Sequence, residues 1–423
     1  MRLLPLCFLA TVLVLGSSGL AYRSDAAPPP AGADKATLDK ATPGKAGPGK
    51  AQKPGAKSDA PAASSSTSLI ETEARNAFIV DMKTGTVLLD KNADERIPPA
   101  SMSKMMFYYT VFGYLKEGKA KLDDMLPVSE KAWRTGGSKM FVPLGGTVKI
   151  EDLLRGVIIQ SGNDACIVLA EGLAGSEQAM VDQMNKKAQE LGLTGSHFAN
   201  VTGLPDPEHY MTARDLATLA RHIIEDYPEF YKFESEKDFS YNGIKQGNRN
   251  PLLYKDLGAD GLKTGHTDEA GYCLTGSAVR DNHRIIMVVA GLPTMKSRFT
   301  ESERLIDWAF REFGGYTLFK AGETVDEADV WLGAQSKVPM VMTSDAVATL
   351  PRRLRKDMKV TVAYDKPIKA PIAKGQEIGK VVVTVPGMPP TEFPLVAAND
   401  VDRLGAMGRV GAALSYLVFG SHK

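Results

Sequence analysis

Strand-like patterning at both ends of one long segment, with helical patterning between them, limits how residues 69–315 can fold. At the start, Asn76-Ala-Phe-Ile-Val-Asp81 and Thr86-Val-Leu-Leu-Asp90 read as two strands joined by a turn at Met82-Lys-Thr-Gly85. At the end, Gly271–Val279 and Arg284–Ala290 read as two more, joined at Asp281-Asn282. The stretch between them follows a helical period. Met105, Tyr108, Tyr109 and Phe112 form one stripe, and Val181, Met184, Ala188 and Leu191 form another. Glu151–Ile159 and Asp164–Glu171 are helical stretches split by Gln160-Ser-Gly-Asn163. Thr212-Ala-Arg-Asp215 reads as a capping box ahead of Leu216, Leu219, Ala220 and Ile223. A second box, Thr300 with Glu303, is expected to open a helix through Leu305, Trp308, Ala309 and Phe313. The expectation is an α/β (α+β) domain in which strands from both ends share one sheet.

The flanks have a different texture. From about Tyr316, short β-like runs such as Val338–Met342 and Val381–Val385 alternate with Gly, Pro and Lys. Residues 316–398 therefore read as a small all-β sandwich. At the front, Arg2, an apolar run from Leu3 to Leu15 and Gly19-Leu20-Ala21 have the form of a secretory signal peptide over residues 1–21. Residues 22–68 follow as a disordered linker: within Asp25–Ser68, Leu38 is the only large apolar residue, too little to offset the entropy of ordering. The tail, 399–423, places Leu404, Met407, Val410, Leu414, Leu417 and Val418 at helical spacing around Arg409. This is an amphipathic helix, suited to a membrane surface or to docking on its own domain.

Charge and composition remove several classes of function. The 51 Lys+Arg and 50 Asp+Glu nearly cancel, and the small excess sits in the leader and linker, ahead of a mildly acidic body. No nucleic-acid partner is implied. Six scattered His and three Cys give no metal-ligand spacing, so no metal or cofactor is expected. Cys7 falls in the leader, and Cys166 and Cys273 are expected as buried free thiols rather than a disulfide.

Three motifs carry the chemistry: Ser101-Met-Ser-Lys104, Ser161-Gly-Asn163 and Lys263-Thr-Gly265. Ser and Lys three residues apart share a helical face. A serine hydroxyl needs a base, and Lys104 can serve if burial and a second cation, Lys263, lower its pKa. Ser161 and Asn163 lie between helices, where a hydroxyl can relay a proton and an amide can hold a carbonyl. Lys263 and Thr264 can grip a carboxylate while Gly265 admits close backbone approach. Singly, each motif is weak. Ser101 or Ser161 alone reads as a helix cap, and Lys83-Thr84-Gly85 repeats the third motif inside a turn. The ordered set is the specific signal.

With that set, residues 69–423 resemble the secreted serine D-alanyl-D-alanine carboxypeptidases, the low-molecular-mass penicillin-binding proteins. Arg96-Ile-Pro-Pro-Ala-Ser-Met-Ser-Lys104, Phe198-Ala-Asn-Val-Thr-Gly-Leu204, Ala213-Arg-Asp215, Asp260-Gly-Leu-Lys-Thr-Gly-His-Thr267 and Ala370-Pro-Ile-Ala-Lys-Gly-Gln-Glu-Ile-Gly379 carry the resemblance. It implies a β-lactamase/transpeptidase-like catalytic domain. In it, Ser101 attacks the bond between two terminal D-Ala residues of a peptidoglycan stem peptide and Lys104 takes its proton. Ser161 protonates the departing D-Ala, Lys263 and Thr264 hold the terminal carboxylate, and Asn163 stands on the acyl side. The N–H groups of Ser101 and of His266 or Thr267 form the oxyanion hole. β-Lactam antibiotics are implied as inhibitors, with a periplasmic location on the outer face of the cytoplasmic membrane. Arg249 and Arg284 are lesser candidates for carboxylate binding, each with a surface or structural role as the alternative. The rival readings are a β-lactamase, a D,D-endopeptidase on the same scaffold, and a silent peptidoglycan-binding protein. The first needs a positioned glutamate, for which Glu208 falls in the right interval but in no recognisable motif. Intact Ser101, Lys104, Ser161 and Lys263 argue against the last.

Overall fold

The computed structural model describes residues 70–411, so the leader, the linker and the outer tail lie outside the described residues. Strand β1 (Asn76–Asp81) turns back into β2 (Val87–Lys91) through Lys83-Thr84-Gly85. There Asp81 Oδ1 accepts the Thr84 N–H at 2.8 Å and Gly85 takes φ +69°, so the stray KTG is turn chemistry. A single 3-10 turn, Ala100–Ser103, leads into α1 (Lys104–Lys116). The apolar stripe expected for α1 understates it: every residue from Lys104 to Gly113 is buried, so the helix runs through its layer rather than along it.

Around α1 the chain adds β3 (Met125–Pro127), α2 (Glu130–Arg134) and β4 (Thr147–Lys149), which pairs with β3. Next come α3 (Ile150–Ile158), α4 (Asn163–Ala174), α5 (Glu177–Glu190), α6 (Ala213–Asp226) and α7 (Pro228–Tyr231). A small hairpin, β5 (Asp238–Tyr241) with β6 (Ile244–Gly247), follows; β5 half-buries Phe239 and Tyr241 against the core, and the hairpin is absent from the sequence expectations.

The sheet is completed by β7 (Ala259–Thr267), β8 (Gly271–Arg280) and β9 (His283–Leu292). Its order is β2-β1-β9-β8-β7, antiparallel throughout, so strands from both ends of the domain do share one sheet. Alternation along β9 sets the two faces. Ile285, Met287 and Val289 pack with Leu305, Ile306 and Ala309 of α8 (Met295–Glu312), while Ile286, Val288 and Ala290 face the layer containing α1 and α6.

Two helix starts differ from expectation. The box that opens α8 is Thr294 with Ser297, in which Thr294 Oγ1 accepts the Ser297 N–H at 2.9 Å and Ser297 Oγ accepts the Thr294 N–H at 3.0 Å. Thr300 and Glu303 lie inside the helix, because the chain caps itself as soon as Pro293 ends the strand. At α6, Thr212 caps Asp215 N at 3.0 Å, but the Asp215 carboxylate accepts from Gly195 N and Ser196 Oγ, so the cap is not reciprocated.

α8 passes into β10 (Phe313–Phe319) with no residue between. Then come β11 (Thr324–Trp331), β12 (Lys337–Met342), β13 (Ala346–Pro351), β14 (Lys359–Ala363), β15 (Ile368–Lys369), β16 (Glu377–Thr384) and β17 (Thr391–Ala397). Six strands in the order β14-β16-β17-β12-β11-β15 and the pair β10-β13 enclose one core of Met340, Ala348, Leu350, Val381 and Leu395. Across the junction with the first domain, Thr349 Oγ1 donates to Asp81 Oδ2 at 2.8 Å, and His283 Nε2 bonds the same carboxylate oxygen. Residues 406–411 are helical, with Met407 and Val410 exposed.

Candidate active site

The 3-10 turn places Ser101 and Lys104 together. Ala100 precedes them at φ +48°, a left-handed conformation that a non-glycine residue holds only when its surroundings enforce it. Those surroundings are two close-packed backbones. A Cβ on Gly203 (φ +76°) would stand 2.1 Å from Ala100 O, and one on Gly265 would stand 2.9 Å from Pro99 O. Only glycines let the 198–204 loop and β7 press against the turn from two sides.

Lys104 is fully buried, and its Nζ reaches Ser101 Oγ at 3.0 Å, Asn163 Oδ1 at 2.8 Å and the carbonyl oxygen of Thr202. Burial pushes its pKa down to about 8; the Arg249 guanidinium adds to this, while Cys166 and the Asp164 carboxylate oppose it. A lysine in that range is about one-tenth free base at pH 7 and about half at pH 8, against a negligible fraction for an ordinary lysine. The Thr202 carbonyl is held by Asn200, whose Oδ1 accepts from Thr202 N and Gly203 N at 3.1 and 2.8 Å. The role of this loop is not legible in the sequence, since a backbone carbonyl leaves no mark in side-chain identity; Asn200 and Gly203 are its traces.

Ser161 lies between α3 and α4 at φ +64°, buried, with no hydrogen-bond partner for its Oγ among the described residues. Asn163 opens α4; its Nδ2 donates to Gly136 O and its backbone N to Ser138 O, at 2.8 and 2.7 Å. Its neighbour Asp164 accepts from the N–H groups of Met140, Phe141, Val142 and Ala165 at 2.8–3.2 Å. Residues 136–142 are thereby strapped to the start of α4. The sequence marks Asp164 only as an acidic residue in a helix's first turn; its partners on another loop were not legible.

From β7, Lys263 and Thr264 are buried and His266 is exposed, its ring 3.9 Å from that of Tyr272. Burial pushes Lys263 well below the usual lysine range, Lys104 and Arg249 add to this, and Glu234 opposes it. The two arginines separate. Arg284 is clamped to Asp260 by two bonds of 2.9 and 2.8 Å, a structural pair, whereas Arg249 donates to Ser138 Oγ at 2.7 Å within electrostatic reach of both lysines. Cys166 and Cys273 are free and buried, and burial pushes the Cys166 thiol up to about 12. Glu208 is exposed.

The sequence profile of the D-alanyl-D-alanine carboxypeptidases matches residues 61–294, and that of the penicillin-binding protein 5 C-terminal domain matches residues 313–403. The chain is 41% identical over 343 residues to D-alanyl-D-alanine carboxypeptidase DacA of Haemophilus influenzae, covering 80% of this chain and 87% of that protein. It is 41% identical over 362 residues to DacC of Escherichia coli, covering 83% and 90%. Among solved structures, penicillin-binding protein 5 from Haemophilus influenzae matches with a TM-score of 0.74 at 42% identity, covering 79% of this chain and 99% of that one. Penicillin-binding protein D2 from Listeria monocytogenes in its ampicillin-bound form matches with a TM-score of 0.53 at 30% identity, covering 57% and 98%. The chain therefore belongs to the D-alanyl-D-alanine carboxypeptidase family of penicillin-binding proteins, with an α/β catalytic domain followed by a C-terminal β-sheet domain.

Proposed function

We propose that this protein removes the terminal D-Ala from peptidoglycan pentapeptides through an acyl-enzyme on Ser101. The observation that carries the reading is the buried Lys104 amine 3.0 Å from Ser101 Oγ with its other contacts to Asn163 Oδ1 and Thr202 O. As free base, Lys104 donates to those two oxygens and turns its lone pair toward the serine hydroxyl. Ser101 Oγ bonds to the carbonyl carbon as its proton passes to Lys104. The C–N bond then breaks, the departing D-Ala amine takes a proton through Ser161, and water cleaves the ester. Lys263 and Thr264 hold the terminal carboxylate, and Asn163 stands on the acyl side. The N–H groups of Ser101 and of His266 or Thr267 take the oxyanion.

β-Lactams enter this reading as carboxylate-bearing mimics of D-Ala-D-Ala that stay on Ser101. It also includes export to the periplasm and attachment of the 399–423 tail to the outer face of the cytoplasmic membrane. The exposed Met407 and Val410 support the attachment; no helix among the described residues is long and apolar enough to cross a membrane.

The test is to incubate the protein with a labelled penicillin and with a pentapeptide ending in D-Ala-D-Ala. A stable adduct on Ser101 together with D-Ala release is expected. Rapid penicillin turnover without D-Ala release would make the protein a β-lactamase. Lys104→Ala should abolish acylation, and full-rate acylation by that variant would remove Lys104 as the base.

A further inference from the structure

Two lysines are fully buried in one small site, and each is pushed toward the neutral form. The proposed chemistry needs them to differ, with Lys104 free to accept a proton and Lys263 charged to hold a carboxylate. Nothing in the motifs distinguishes them. A third buried group does. Glu234 lies on the 3-10 turn Lys232–Ser235, has no exposed surface, and neither carboxyl oxygen has a hydrogen-bond partner among the described residues.

The position of Glu234 follows from two faces. On β7, a Cβ at Gly261 would stand 3.3 Å from Glu234 Cβ, so Glu234 packs against the strand that carries Lys263. On α1, Tyr108 is one helical turn beyond Lys104, and its hydroxyl faces the Glu234 carboxyl without closing a hydrogen bond. The other charges nearby are engaged, and Arg249 donates to Ser138 Oγ. Asp260 is clamped by Arg284 and takes the Tyr231 hydroxyl; Arg155 pairs with Glu236 and Glu151; Lys232 stands over the Phe233 ring. On the Lys104 side, the Asp164 carboxylate is occupied by four backbone N–H groups. Glu234 is the buried carboxylate left without an ion-pair partner, and the Tyr108 hydroxyl and the Lys263 ammonium are the groups that act on it.

We propose that Glu234 is a positioning residue for the acyl transfer: its carboxylate, packed between β7 and α1, keeps Lys263 as the cation of the pair and so leaves Lys104 as the free base. This rests on the roles assigned above to Ser101, Lys104 and Lys263. Burial pushes Glu234 up to about 7, against the pull of Tyr108 and Lys263, so the carboxylate exists at the mildly alkaline pH where Lys104 is neutral.

The test compares the full-length wild type and Glu234→Gln across pH, following penicillin acylation and D-Ala release. Without its counter-ion, Lys263 loses its proton at lower pH. The alkaline limb of kcat/KM should move about one pH unit toward acid, with KM for the peptide up about tenfold at pH 8 and kcat changed far less. Glu234→Asp, which keeps the charge, should restore the limb. An unmoved limb, or an equal loss at every pH, in an otherwise active enzyme overturns the role of Glu234 alone. A wild type that neither binds penicillin nor releases D-Ala overturns the reading of Ser101 and this proposal with it. Should Glu234→Gln fail to fold, carboxyl-13C NMR of glutamate-labelled wild type decides: a buried carboxyl ionised at pH 8 supports the proposal, and one still protonated there overturns it.

Discussion

Asp164 shows how much of this site depends on a side chain with no place in the chemistry. Its carboxylate gathers the N–H groups of Met140, Phe141 and Val142 and fixes the strap that also holds Asn163 through Gly136 and Ser138. Asp164→Asn leaves one amide nitrogen facing N–H donors, so it should lower stability by about 2–4 kcal/mol and slow acylation, read by urea unfolding and penicillin labelling. His209 gives a pH signature. Burial pulls its pKa down to about 4, and its Nδ1 accepts the Ala199 N–H at 3.1 Å in the loop that supplies the Thr202 carbonyl. The unfolded chain binds that proton at higher pH. The His209 contribution is therefore complete above about pH 6.5 and fades as pH falls toward 4. Urea unfolding at pH 7 and pH 5 should differ more for wild type than for His209→Gln. Side chains that carry chemistry were readable in the sequence because their spacing is itself the signal. Asp164, Asn200 and Glu234 were not, since their partners come from distant segments and their residue types are ordinary.

At the scale of elements, α1 is the axis of the helical layer. Phe112 is fully buried and meets the rings of Tyr108, Tyr227 and Phe230 at 5.1–5.7 Å. Phe112→Ala should cost about 3–5 kcal/mol in urea unfolding, well above an exposed-face substitution such as Lys116→Ala. Four strands of the five-stranded sheet were legible at the two ends, because apolar and β-branched runs bounded by turn residues mark them; β7 was not, since Lys263-Thr-Gly265 lies on that strand and not ahead of one. Other features were not legible. The β5–β6 hairpin was missed because its strands are four residues each and only Phe239 and Tyr241 turn toward the core, too short a pattern to stand out. The start of α8 was misplaced because Thr300 and Glu303 have box spacing, while the operative pair, Thr294 and Ser297, uses a serine in the position where a glutamate or glutamine is the usual signal.

At the scale of the molecule, the two domains meet through the buried Asp81 carboxylate, shared by Thr349 and His283. Thr349→Val leaves that carboxylate one donor short. It should lower stability by about 1–3 kcal/mol and separate the melting of the two domains in calorimetry, with the penicillin-labelling rate at 25 °C unchanged. The sequence announced a second, β-rich domain, but not how it is joined. The change of texture near Tyr316 falls after the junction, which lies at the uninterrupted passage from Glu312 to Phe313.

That passage has a mechanical consequence. A helix that becomes a strand in one step acts as a strut and not as a leash. The mouth of the catalytic domain then stands off from the far end of the β domain by a single fixed length, instead of sampling the spread of distances a flexible spacer allows. On a layered substrate, such an enzyme would trim peptides at one depth. Lengthening the joint by a few glycines would widen that depth without touching a residue of the site.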